Sequence, residues 1–215
     1  EFNGSFPRLT YREAIENYGS DKPDMRFEMK IRELTHLVRG KGFSVFDNSM
    51  YTGGICVPGC ADYSRKLLDE LTDFVRQPGI GAKGLVYLKY GSDGSLKSSA
   101  DKFYTSQDLE KWAQAVGARP GDLVLILSGS AEQTLAALSE LRLEMGDRLN
   151  LRPKDKFAPL WVIDFPLLEW DDETNRFYAM HHPFTSPHPS DIHLMETDPG
   201  KVRANSYDLV INGVE

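Results

Sequence analysis

Tyr207-Asp208-Leu209-Val210-Ile211-Asn212-Gly213-Val214-Glu215 is an apolar run that opens on one carboxylate and closes on another. Its core of Leu209, Val210 and Ile211 reads as a strand. Asp208 and Glu215 stand seven positions apart, and on a straight strand an odd separation places two side chains on opposite faces. A shared divalent ion would therefore need a bulge or bend between them. Asn212-Gly213 is the cheapest place for one, because glycine tolerates unusual dihedrals. Two readings stay open at this point. Each acid is a solvated carboxylate at a strand end, or the two hold Mg2+, which commonly binds through one or two carboxylates plus substrate phosphates. The run ends inside its own polar cluster, which predicts a segment of a longer protein.

Upstream lies Ala179-Met180-His181-His182-Pro183-Phe184-Thr185-Ser186-Pro187. Paired histidines beside a proline-rich loop could ligate metal, act as a base, bind an anion, or pack as structural residues at a strand end. Joint ligation of one metal conflicts with strand alternation, and no third His or Cys lies at ligand spacing.

The remaining pattern divides the chain. Thr10-x-x-Glu13 predicts a capping box and a helix to Tyr18 that Gly19 ends, followed by a turn-rich break over residues 19–24. From residue 28 to 151 helical and strand signals mix. Tyr63–Val75 has helical spacing, and Gly84–Tyr90 is a strand closed by a turn at residues 91–95. Thr105-x-x-Asp108 opens a helix to Val116, Leu123–Leu127 is a second strand, and Ser130-x-x-Gln133 caps a helix to about Leu143. After residue 152 the pattern reads as antiparallel strands only. Leu160–Pro166 pairs with Arg176–Met180 as a hairpin, residues 183–201 form a loop, and Tyr207–Val214 is the last strand. The predicted fold class is α+β: a mixed α/β insertion, 28–151, set into part of an antiparallel sheet built from 6–27 and 152–215. Residues 1–5 lack apolar periodicity and are set aside as an appended leader.

Of the 215 residues, 40% are hydrophobic and 27% charged, ordinary values for a globular protein, and no run approaches a membrane span. The net charge of −7 argues against a dominant nucleic-acid surface. Lys83, Lys89, Lys97 and Lys102 allow at most a local basic patch, and residues 91–95 lack the Lys and helix of a phosphate loop. Cys56 and Cys60 fit neither a zinc knuckle nor a disulfide scaffold, so two free structural thiols in a reducing cytoplasm are expected.

Taken jointly, Phe6–Tyr11, Tyr18–Asp24, Pro159–Pro166, Ala179–Pro187 and Tyr207–Glu215 resemble bacterial-type aspartyl-tRNA synthetases, which are class II enzymes. The resemblance covers essentially the whole chain after Ser5. The middle unit resembles the GAD insertion, a module shared with a subunit of a tRNA-dependent amidotransferase, and Leu141–Gly146 matches its ending. The resemblance implies an aspartate–tRNA ligase that uses ATP and Mg2+. Its partners would be L-aspartate and tRNA(Asp), with tRNA(Asn) as a further possible acceptor, and the parent would be a cytoplasmic homodimer. It implies that His181 and His182 line the aspartate and adenylate pocket. Asp208 and Glu215 are implied to hold Mg2+ against the ATP phosphates, with Glu215 also counted toward ATP binding. The family's anticodon-binding barrel, its arginine for the α-phosphate and its glycine-rich strand with a further arginine are not within these residues. The chain alone is therefore expected to be inactive. The alternative is a non-catalytic tRNA- or protein-binding GAD module. A segment of the amidotransferase subunit fits less well, because the histidine and Tyr207–Glu215 stretches resemble the synthetase.

Overall fold

The computed structural model describes residues 5–215; residues 1–4 of the expected leader lie outside the described residues. In chain order the elements are β1 (Arg8–Thr10), α1 (Tyr11–Tyr18), β2 (Arg32–Glu33), α2 (Thr35–Val38), α3 (Ser44–Asp47), β3 (Tyr51–Val57), α4 (Arg65–Val75), β4 (Val86–Tyr90) and β5 (Leu96–Ser98). There follow α5 (Ser106–Val116), β6 (Leu123–Gly129), α6 (Ala131–Arg148), β7 (Pro159–Ile163), β8 (Leu168–Asp171), β9 (Arg176–Ala179) and β10 (Tyr207–Ile211). Two compact units result. One holds residues 5–15, Asp21–Arg26 and Asp155–Glu215; the other holds Glu16–Ser20 and Phe27–Lys154.

The first unit is built on a three-stranded sheet ordered β1-β7-β10. β10 runs antiparallel to β7, but β1 pairs with β7 in parallel, which strand patterning over residues 159–215 alone could not foresee. Alternation along β7 buries Leu160 and Val162 and turns Trp161 outward. Opposite them, Val210 faces Leu160 and Asp208 faces Val162, so Asp208 stands on the core side of the sheet. Phe165, Leu167, Val202 and Ala204 complete this core. The expected hairpin is corrected: β9 pairs with β8, while β7 is occupied on both edges by β1 and β10. Each strand has two edges, so a strand claimed by the sheet has none left for a local partner. The proline-rich segment after β9 contains two 3-10 turns, Pro189–Leu194 and Pro199–Lys201.

The second unit is a five-stranded sheet ordered β2-β3-β6-β4-β5, antiparallel in every pairing. β6 is buried on both faces from Leu123 to Leu127, which explains its unbroken apolar run. On one face Leu68, Leu71 and Val75 of α4 and Leu138, Leu141 and Met145 of α6 cover it; on the other lie Phe46, Tyr104 and Trp112. Both capping boxes read at residues 10–13 and 105–108 form, with Glu13 N–H to Thr10 Oγ1 at 3.2 Å and Asp108 N–H to Thr105 Oγ1 at 3.2 Å. Ser130 behaves otherwise. Its side chain makes no capping bond, and Gln133 Nε2 donates to Gly81 O at 2.9 Å. Packing also carries α6 beyond Leu143 to Arg148. Gly19 is required where α1 ends: its φ is +70°, and a Cβ there would come within 2.1 Å of Leu135 O.

Both cysteines are free. Burial and the carboxylate of Asp122, 3.5 Å from Cys56 Sγ, push the Cys56 thiol up to about 12, which keeps it protonated and unreactive. Lys89 donates to Tyr63 O at 2.5 Å. Among the described residues no helix is long and apolar enough to cross a membrane.

Candidate active site

The site of interest begins where β10 stops. The strand ends at Ile211 rather than continuing to Val214, and Asn212 (φ 56°) and Gly213 (φ 88°) form a two-residue turn closed by an Ile211–Val214 bridge. Positive φ at both central residues is the type I′ pattern that Asn-Gly favours. Reversal changes the parity argument. With Val214 opposite Ile211, Glu215 falls opposite Val210, and Val210 shares its face with Asp208. Seven residues on a straight strand separate the acids; seven residues around this turn bring them to one face.

The turn is anchored from both sides. Asn212 Oδ1 accepts from Ala158 N–H at 3.0 Å and Asn212 Nδ2 donates to Lys156 O at 2.9 Å, which ties the turn to the entrance of β7. A Cβ on Gly213 would meet Lys22 O and Asp24 Cβ at 3.7 Å, so the loop over residues 22–24 lies against it. That loop is held by Asp24, 1% exposed, which accepts from the Arg26 backbone N–H at 3.0 Å and from Arg26 Nη2 at 2.6 Å.

Lys22 Nζ then pairs with Glu215 Oε2 at 2.5 Å. Sequence reading assigned Lys22 no role, because nothing local to a Gly-Ser-Asp-Lys-Pro turn indicates which strand end it will reach. Burial pushes the Asp208 carboxyl above its ordinary value, Glu215 adds to this by repulsion, and Lys22 pulls against both. His181 also acts on Asp208 electrostatically. Its ring stands edge-to-face on Phe165 at 5.5 Å, and its Nε2 is buried without a hydrogen-bond partner. An unsatisfied buried ring nitrogen beside a raised carboxyl is a ligand-facing arrangement.

His182 differs from its neighbour. β9 ends at Ala179, so strand alternation does not govern the two rings. His182 is exposed, accepts from Phe184 N–H through Nδ1 at 3.3 Å, and stacks edge-on with the Phe184 ring at 4.8 Å. The structure thus gathers His181, Asp208, Glu215 and Lys22, while the recorded contacts of His182 are local. A depression of about 580 Å3 is lined by Trp161, Tyr207, Asp208, Leu209, Ile211, Val214 and Glu215.

The segment between the histidines and β10 is clasped by Arg203. Its Nε donates to Asp191 Oδ2 at 2.7 Å and its Nη1 to Asp164 Oδ1 at 3.3 Å. This guanidinium, with a further bond from Ser190, holds the Asp191 carboxyl far below the usual carboxylate range.

Two carboxylates, one within β10 and one just past the turn that follows it, suit a hard divalent ion. Among the described residues no group of three or more His, Cys, Asp or Glu could hold a metal ion. A family model described as tRNA synthetases class II (D, K and N) matches residues 1–215, and the chain belongs to that family. The likeness is more particular at the level of single relatives. The chain is 62% identical over 216 residues to the "Aspartate--tRNA ligase" of Parabacteroides distasonis, covering 100% of this chain and 37% of that protein. Identity is 60% over 216 residues to the protein of the same name in Porphyromonas gingivalis, covering 100% and 37%. To that in Flavobacterium psychrophilum it is 54% over 210 residues, covering 98% and 36%. The chain thus spans about 37% of the length of these curated relatives.

Proposed function

We propose that this chain is part of an aspartate–tRNA ligase. In this reading the whole protein joins L-aspartate to ATP, giving aspartyl-adenylate and pyrophosphate. It then passes the aspartyl group to the 3′ end of tRNA(Asp), and to tRNA(Asn) if the parent is non-discriminating, acting as a homodimer in the cytoplasm. The observation that carries the reading is the 62% identity over the full chain to a protein of that name.

Attack of the aspartate carboxylate on the α-phosphorus brings two anions together, so the site must offset their repulsion. Asp208 and Glu215 would hold Mg2+, which supplies charge neutralisation at the ATP phosphates when bound. Lys22 neutralises Glu215, and Mg2+ would compete with its ammonium for that carboxylate. His181 offers its unpartnered Nε2 to the aspartate or adenylate, and His182 lines the same pocket from its exposed side. The second unit is a GAD insertion that helps to position the tRNA acceptor arm.

Three experiments test this. The purified chain is expected to show ATP–pyrophosphate exchange no faster than background; clear turnover would refute the assigned division of labour. In the full-length enzyme, Asp208→Asn or Glu215→Gln should lower exchange by about 10²-fold or more, and near-normal exchange in either would remove the acids from the mechanism. Removal of 28–151 from the full-length enzyme should weaken tRNA binding and charging, and unchanged values would refute the role given to the insertion.

A further inference from the structure

Within the second unit, the end of β4 leaves β6 partly uncovered. β4 follows β6 from Lys89↔Leu123 to Val86↔Ile126, whereas β6 continues to Gly129 with β3 alone beside it. Gly129 O accepts from Met50 N–H at 3.0 Å, on the β3 side. Backbone groups alternate sides along an antiparallel strand, so those of Ser128 turn to the side where β4 has already ended. A cavity of about 530 Å3 opens there, within the range of small-ligand sites. Its apolar wall includes Phe43, Leu85 and Ile126, and its cations are Arg76 and Lys83. A smaller hollow of about 200 Å3 shares Lys83, Ser128 and Gly129 and reaches Ser130 and Gln133 at the start of α6.

The charge balance of this place is unusual. Among the described residues no Asp or Glu lines either hollow, in a chain of net charge −7. Arg76 commits Nε to Lys83 O at 3.2 Å, and neither residue has a carboxylate partner among the described residues. A planar guanidinium and an ammonium that line one cavity suit a phosphate, the first by paired hydrogen bonds and the second as a point charge. The hydroxyl of Ser44 and the Ser128 backbone N–H add donors, while the Ser128 hydroxyl donates to Val45 O at 3.4 Å; the apolar wall can take the face of a base or sugar. Ser130 makes no side-chain capping bond, so its hydroxyl does not cover the amides of the first turn of α6.

We propose that this cleft binds a phosphate-bearing ligand of about one nucleotide, as a unit of an RNA strand or as a free nucleotide. The proposal concerns binding by this chain, so a failure of the ligase assignment and a failure of the cleft would be told apart. Amide NMR spectra of the 215-residue chain would be followed on titration with inorganic phosphate, AMP and a short single-stranded RNA. The amides of Lys83, Ser128 and Gly129 should move. The double variant Arg76→Gln/Lys83→Gln should weaken AMP and RNA binding by about tenfold or more, with an unchanged circular dichroism spectrum. Lys97→Gln/Lys102→Gln, which removes two charges outside the cleft, should bind as the parent chain does. RNA binding more than about tenfold tighter than AMP assigns the phosphate to a strand; equal affinities assign it to a free nucleotide. If no probe moves those amides at millimolar concentration, or if the double variant binds as well as the parent chain, the proposal fails. Lys83→Glu serves as a second variant, since it keeps the backbone acceptor that Arg76 uses and should also weaken binding.

Discussion

Asp208 and Asp191 are displaced in opposite directions, and their pH signatures differ accordingly. Burial first and Glu215 second raise the Asp208 carboxyl above 3.8. Between 3.8 and the raised value the folded chain holds a proton that the unfolded chain has lost, so this residue's contribution to stability falls as pH rises through that window. Asp208→Asn should therefore raise the thermal midpoint at pH 7 by about 1–3 °C while removing divalent binding, as calorimetry with and without Mn2+ would read. A lower midpoint would contradict the assigned burial cost. Asp191 is held below 3.8 by Arg203, so its contribution is present above 3.8 and is lost as pH falls below that value. Asp191→Asn should lower the midpoint at pH 7 and flatten the acid limb of the stability profile. Lys22→Ala should strengthen divalent binding by about two- to fivefold, the scale of an exposed ion pair, because the competing cation is gone; titration calorimetry would decide it. The two acids and the histidine pair were legible in the sequence as polar residues bracketing strands. Lys22 was not, since its ion pair joins positions far apart in the chain that meet only through the docking of a loop on a turn.

At the scale of elements, the turn after β10 decides the geometry of the site. Gly213→Val places a β-branched side chain at φ 88°, which should cost about 1–2 kcal/mol and carry Glu215 away from Asp208. Divalent affinity should then fall by about tenfold or more, whereas Gly213→Asn, which tolerates positive φ better, should lose less. Equal affinities in the two variants would show that the turn does not set the pair. In the other unit Leu125 lies in β6 between both cores and is 0% exposed; Leu125→Ala should cost about 2–5 kcal/mol in urea unfolding. Period and capping signals located α4, α5, β4 and β6 because those signals are carried by neighbouring residues. Strand pairing was less legible. β7 looks like a hairpin partner for the next strand, yet the parallel contact with β1 and the antiparallel contact with β10 use both of its edges. A local pattern records that a segment is a strand, not which edge meets which.

For the whole molecule, a net charge of −7 sets an expectation about RNA. With few cations placed to meet phosphates, the isolated chain should bind tRNA weakly, and the slope of log K against log salt should be shallow, on the order of −1 to −3. Filter binding at two salt concentrations would check this, and a steep slope would mean a basic surface that the charge distribution does not suggest. The chain's division into an interrupted unit and an enclosed one follows residues that are distant in sequence and paired in β1, β7 and β10. Sequence by itself determined the element types, the two capping boxes, the free thiols and the identities of the acids, because propensity, spacing and side-chain chemistry act over a few residues. Only the tertiary structure decided that Asp208 and Glu215 share a face, that Lys22 pairs with Glu215 and that His181 buries its Nε2 while His182 stays exposed. Those outcomes depend on a chain reversal at Asn212-Gly213 and on contacts closed over long loops, which no short-range pattern encodes.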